Sequence, residues 1–238
     1  MKTVIKGFIK SSLLDWDGKI VSTLYVPHCN MRCPFCHNRS FILTPDDHPS
    51  VEINEILDFY KERKNFLDGI CLTGGEPCLY DDLVEVLKPF KEAGALIKLD
   101  SNGTSPEKIR ELVDAKLIDY IAMDIKNALE FEKYKKASSL KSEVLFENVK
   151  ESINYIKNCK LPYEFRTTVV PTIHEKQDII DIAKFIKGAE KYALQNFQPE
   201  NTLDVNFEKL TPFTVNDIEE MADSIKSLIE KVVVRAKG

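Results

Sequence analysis

Three of the chain's six cysteines lie in one short stretch, CNMRCPFCHN (Cys29–Asn38), spaced C-x3-C-x2-C. Thiolates this close can converge on one iron–sulfur cluster or one zinc ion. An ordinary cubane cluster takes four protein thiolates, and this loop offers Cys29, Cys33 and Cys36. The other cysteines, Cys71, Cys78 and Cys159, are dispersed and have no cluster spacing of their own. Three thiolates on a four-iron cluster leave one iron without a protein ligand, and an open position separates a reactive metal site from a closed, structural one. Two other chemistries use the same residues. One is a Cys3His zinc site drawing on His28 or His37; the other is an electron-transfer cluster with Cys71 or Cys78 as fourth ligand.

Further polar turns interrupt apolar runs at TGGEP (Thr73–Pro77), DSNG (Asp100–Gly103) and MDIK (Met123–Lys126). Adjacent glycines permit close backbone approach, and a carboxylate beside them suits a cationic ligand. Taken alone, GG reads as a strand-ending turn, and Asp124 with Lys126 as a helix cap or an ion pair.

Periodicity supplies the elements that carry these turns. KIVSTLYVP (Lys19–Pro27) reads as a strand running into the cysteine loop, VEINEILDFYKERKNF (Val51–Phe66) as a helix, and DGICLTGG (Asp68–Gly75) as a buried strand. DDLVEVLKPFKEAG is a helix closed by Gly94, ALIKLDSNG a strand, and SPEKIRELVDAK a helix opened by a capping Ser105 and Pro106. Strands at IDYIAMDIK, YEFRTTVVP and YALQNFQP alternate with helices near 142–160 and 176–189. A last helix near 215–229 leads to a candidate strand, KVVVRA. Roughly six β/α units imply a mostly parallel sheet. A closed eight-fold barrel typically takes about 250 residues, so the expected fold class is α/β, a partial (β/α)6 TIM-like barrel. One domain spanning residues 1–238 is expected, with an N-terminal extension over 1–18, a core over about 19–200 and the terminal helix and strand over about 214–236. Every unusual polar cluster falls at the carboxyl end of a strand, where such sheets place function.

Bulk properties exclude several classes. A net charge of −5 gives no electrostatic reason to expect a nucleic-acid partner. No apolar run approaches the ~18 residues of a membrane span, and the N-terminus lacks the h-region of a signal peptide. A cytoplasmic protein with reduced thiols is expected.

C-x3-C-x2-C with Phe35 before the last cysteine, followed about 40 residues later by GGEP, resembles the radical S-adenosylmethionine (SAM) superfamily, and the likeness runs through the β/α repeat. It implies that Cys29, Cys33 and Cys36 hold a [4Fe–4S] cluster whose open iron is chelated by the SAM amino and carboxylate groups. Reductive cleavage of the sulfonium then yields a 5′-deoxyadenosyl radical that abstracts a hydrogen atom. By the same resemblance Gly74, Gly75 and Glu76 receive the SAM ammonium. Phe35 lines the adenine site, and backbone groups from Phe35 to His37 hold the base edge. CHN (Cys36–Asn38), DSNG and DIK further resemble the glycyl-radical-enzyme activating enzymes. That implies Lys126 on the SAM carboxylate, with Asp100, Ser101, Asn102 and Asp124 nearby, where the aspartates can help bind a monovalent cation. Where activators of pyruvate formate-lyase place a histidine near SAM, this chain reads NFQPEN, so Gln198 would take that place. GFIKSSLLDWDGK, RTTVVP and LQNFQP look most like the short activators of anaerobic ribonucleotide reductase; Cys78 departs from that group.

The implied partners are a glycyl-radical enzyme and a flavodoxin or ferredoxin-type reductant; the oligomeric state is not implied. No cysteine set lies in FILTPDDHPS and none follows Cys159, so one cluster is expected. The lysine-rich EKYKKASSLKS (Glu132–Ser142) reads as a solvated loop at the site's mouth, or as a dock for an acidic partner. A radical SAM enzyme acting on a small molecule, and a zinc or electron-transfer module without catalysis, are the competing readings.

Overall fold

The computed structural model describes residues 1–236. Its strands are β1 (Gly7–Ser12), β2 (Val21–Val26), β3 (Gly69–Gly74), β4 (Leu96–Ser101), β5 (Tyr120–Asp124), β6 (Tyr163–Val169), β7 (Lys191–Asn196) and β8 (Lys231–Arg235). Its α-helices are α1 (Arg39–Leu43), α2 (Ile53–Glu62), α3 (Leu83–Glu92), α4 (Pro106–Asp114), α5 (Phe131–Ser138), α6 (Glu143–Asn158), α7 (Lys176–Phe185) and α8 (Val215–Asp223). The strands form one open sheet in the order β1 to β8. Apart from the antiparallel β1–β2 pair, the strand pairs described are parallel, and the fold is α/β as expected for a partial barrel. No helix among the described residues is long and apolar enough to cross a membrane.

The chain divides into two compact units. The first comprises Met1–Cys29, Ser40–Ser101 and Ser105–Ile121. Its strands alternate strictly because successive side chains point to opposite faces. Leu24 and Val26, Ile70 and Leu72, and Ile97 and Leu99 are fully buried on one face. The register sets Thr23, Cys71 and Lys98 in one row across the other face, with Tyr25 beside Thr73 above them. Trp16 closes the lower end of that face against Val21 and Cys71. Cys71 is thus a core residue.

The second unit comprises Asn30–Arg39, Asn102–Thr104 and the chain from Ala122 onward. Here β6, β7 and β8 pair in parallel, and α6 buries Phe146, Val149, Ile153 and Ile156. Cys159 caps α6, its thiol donating to the Ile156 carbonyl.

Four expectations need correction. The first strand-like segment is β1, inside the stretch read as an extension. Its sequence, GFIKSS, shows no alternation of apolar and polar residues, and its position comes from pairing with β2 and from Phe8 packing edge-on against Phe59, centroids 5.4 Å apart. The lysine-rich loop contains a helix, α5, because Tyr134 and Ala137 are fully buried and Tyr134 packs against Phe146. Its lysines are engaged internally: Lys133 with Asp178 at 2.8 Å and Lys136 with the Thr172 carbonyl at 2.6 Å. Finally, Ser105 heads α4 without a side-chain cap bond, and α8 ends at Asp223, although Ile225 and Ile229 beyond it remain buried.

Candidate functional site

In the first unit the site residues follow β2, β3 and β4. The register pairs Val26 with Gly74, so these two strands end side by side. His28 then turns the chain at φ 61°, and its carbonyl accepts the Glu76 N–H at 2.8 Å. The glycines are required by this approach. Gly74 has φ +112°, and a Cβ on Gly75 would stand 1.7 Å from the His28 oxygen. Glu76 is fully buried; its Oε1 accepts from the Cys78 N–H at 3.0 Å and from the Ser101 hydroxyl at 2.8 Å. Burial, and next the Glu76 carboxylate, push the Cys78 thiol well above its ordinary value, so it stays protonated and unreactive. Asp100 receives the Thr73 hydroxyl at 3.1 Å and pairs with the buried Lys98 ammonium at 2.8 Å. Lys98 also donates to the Asp15 carbonyl. Cys29 follows β2 and is partly exposed.

In the second unit the cysteine loop continues as a turn, with the Cys36 N–H donating to the Cys33 carbonyl. Cys33 and Phe35 are buried. Burial raises the Cys36 thiol, while the Asn38 backbone and the Lys126 ammonium act in the opposite direction. Lys126 donates to Asp124 at 2.9 Å, and Asp124 also receives Arg166 Nε at 2.8 Å. Burial would raise the Asp124 pKa, but Arg166 and then Lys126 hold it far below the carboxylate range. Burial likewise opposes charge on Lys126, and Asp124 with the Cys33 thiol overrules it. The pair is therefore ionised.

His37 lies 2.8 Å from the Gln198 carbonyl and stacks on Phe197, so Gln198 meets the cysteine loop through its backbone. Asp204 N–H donates to the Pro34 carbonyl, fastening the segment after β7 to the same loop. Asn102 uses its amide internally. It donates to Asn30 Oδ1 at 2.9 Å and accepts from the Thr104 N–H and hydroxyl.

None of the six cysteines is in a disulfide. Among the described residues no three His, Cys, Asp or Glu side chains gather as a metal-holding set, so ligand assignment rests on the C-x3-C-x2-C spacing. The donor set fits a cluster and SAM. In the first unit Cys29, the buried Glu76 carboxylate and the close backbone approach at Gly75, and in the second unit Cys33, Cys36 and the Lys126 ammonium, are the donor types that such ligands need.

Sequence reasoning missed Thr73, Lys98 and Arg166. The available signal was polar residues at period two within otherwise apolar strands: Lys98 and Asp100 share one face of β4. It also missed the His28 carbonyl, because a backbone group leaves no mark on residue type.

A family profile described as the radical SAM superfamily matches residues 23–186. The chain is 37% identical over 239 residues to a Methanocaldococcus jannaschii protein named, provisionally, a glycyl-radical enzyme activating enzyme; the match covers 99% of this chain and 97% of that one. It is 27% identical to the pyruvate formate-lyase-activating enzyme of Clostridium pasteurianum, covering 92% of each. Among solved structures, SuiB of Streptococcus suis bound to its precursor peptide SuiA matches with a TM-score of 0.68. That match has 12% identity and covers 88% of this chain and 47% of that one, a likeness of fold. With the cysteine spacing and the α/β sheet, these similarities lead to one conclusion: the chain belongs to the radical SAM superfamily, enzymes of a [4Fe–4S] cluster and SAM.

Proposed function

We propose that this protein activates a glycyl-radical enzyme by abstracting a hydrogen atom from a glycine of that partner. The end-to-end similarity to two proteins named for such activation carries the proposal. The family profile runs through both compact units, which supports one catalytic domain.

Cys29, Cys33 and Cys36 would hold the cluster as thiolates. When bound, the cluster and SAM supply a 5′-deoxyadenosyl radical. The chain's own residues bind and orient. Glu76, kept buried by its bonds to Ser101 and the Cys78 N–H, would receive the SAM ammonium with the backbone of Gly74 and Gly75. Lys126, held ionised by Asp124, would receive the carboxylate. Phe35 and the backbone to His37 would flank the adenine, with Gln198 fixed beside them by His37. A monovalent cation at Asp100 and Asp124 belongs to the same assignment and would share Asp100 with Lys98. A flavodoxin or ferredoxin-type protein would supply the electron.

The test combines anaerobically reconstituted protein, SAM, dithionite and a glycyl-radical enzyme encoded in the same genome. A glycyl-radical EPR signal on the partner, with 5′-deoxyadenosine formed in step, is the expected result. Deoxyadenosine without any partner radical, across every such enzyme in that genome, would remove the activase reading and leave the superfamily assignment standing.

A further inference from the structure

The turn after β6 carries a histidine that the chemistry above does not use. His174 is 2% exposed. The Val170 N–H donates to its Nδ1 at 3.0 Å, so Nδ1 bears no proton. The neutral ring then carries its proton on Nε2, which lies 2.8 Å from the Lys126 carbonyl and donates to it. Burial favours this neutral ring by lowering its pKa. Other bonds tie the same turn to the same segment. Asn127 Nδ2 reaches the Ile173 carbonyl at 3.3 Å, and Lys136 reaches the Thr172 carbonyl. His174 grips the Lys126 backbone itself.

That grip bears on the lysine's reach. The ammonium end of Lys126 is set by Asp124, and Asp124 by Arg166. The other end, the backbone from which the side chain projects, is set where His174 holds the carbonyl. An anchored base shortens the search of a flexible four-carbon stem, so less order is lost when its ammonium meets a carboxylate.

We infer that His174 is a positioning residue for Lys126, fixing the backbone from which this lysine meets the SAM carboxylate. The inference rests on the assignment of Lys126 given above. The competing role is purely local: His174 closing its own turn through Val170.

Two substitutions separate the roles. His174→Asn keeps an acceptor near Nδ1 for Val170 and loses the reach to Lys126. His174→Gln keeps a donor at the Nε2 distance and loses the turn bond. The readouts are the SAM dissociation constant, by equilibrium dialysis of labelled SAM against cluster-loaded protein, and the thermal midpoint. Wild type and Lys126→Ala are measured alongside. His174→Asn should weaken SAM binding about 5- to 10-fold, the size of one lost hydrogen bond, while His174→Gln stays within about twofold. Asparagine binding SAM as wild type does, or both variants weakening in step with their midpoints, would overturn the inference. Should His174→Asn not fold, the glutamine variant decides. Near-native SAM affinity at a lowered midpoint supports positioning, and affinity as poor as that of Lys126→Ala refutes it. Unchanged binding in Lys126→Ala would instead bring down the lysine assignment, and the positioning role with it.

Discussion

The carbonyl of His28 accepts the N–H of Glu76 at 2.8 Å. One residue before the cysteine motif is thereby bonded to the carboxylate residue of GGEP, 48 positions along the chain. The bond runs backbone to backbone, so it makes no use of the His28 imidazole and asks only for a residue that tolerates φ 61°. It requires that nothing project from Gly75 into the gap.

Gly75→Ala tests that requirement. A Cβ at this position would stand 1.7 Å from the His28 oxygen, so the two strand ends must part. We expect a loss of about 1–3 kcal/mol in denaturant unfolding and weakened SAM binding, because Glu76 moves with its backbone. A variant as stable as wild type would show that the strand ends separate freely.

Cys33→Ala and Cys78→Ala should behave oppositely. The first removes a candidate ligand and is expected to lose stoichiometric iron and sulfide after anaerobic reconstitution. The second removes a buried, protonated thiol beside Glu76 and should retain a full cluster, at a packing cost of about 1 kcal/mol. Iron and sulfide per chain settle both. Full cluster content in Cys33→Ala would break the ligand assignment.

Lys98 occupies Asp100 Oδ1 at 2.8 Å, the oxygen a monovalent cation would also seek. Lys98→Met removes the competing ammonium. Potassium should then promote SAM binding at lower concentration than in wild type, by roughly tenfold if the ammonium contributes the ~1.5–3 kcal/mol of a charged hydrogen bond. Titrations against choline controls would read the shift; identical potassium curves would place the cation elsewhere or nowhere.

Glu164 gives a stability prediction with a sign. It is 2% exposed and pairs with Lys191 at 2.9 Å and Arg235 at 2.8 Å. Burial would raise its pKa, but Arg235 and Arg166 lower it, with Lys191 acting the same way. A carboxyl depressed in the folded state stabilises above its unfolded value of about 4.3, and that contribution is lost as pH falls through the folded value. Wild type should therefore lose stability below about pH 4.3 more steeply than Glu164→Gln. At neutral pH the glutamine variant should be weaker by about 1.5–3 kcal/mol, since it takes a charged partner from the part-buried Lys191 and Arg235. Unfolding midpoints from pH 3 to pH 7 would show whether the two curves converge in acid.

The sequence by itself determined the chemistry. C-x3-C-x2-C, GGE and DIK are contiguous, and their residue types restrict what they can bind whatever surrounds them. It also determined the parallel α/β architecture, because apolar period and glycine punctuation are local signals, and it put these turns at strand ends. Tertiary structure alone decided the supports. β1 and α5 escaped notice because their order comes from partners distant in sequence, Phe59 and Phe146 among them. Lys98 on Asp100 is a face of a strand, visible only once the strand is paired. Arg166 reaches Asp124 across 42 residues, and His174 reaches Lys126 across 48. Binding chemistry is written in side-chain types at short spacing. The geometry that holds it comes from long-range hydrogen bonds, many of them to backbone groups that every residue type shares.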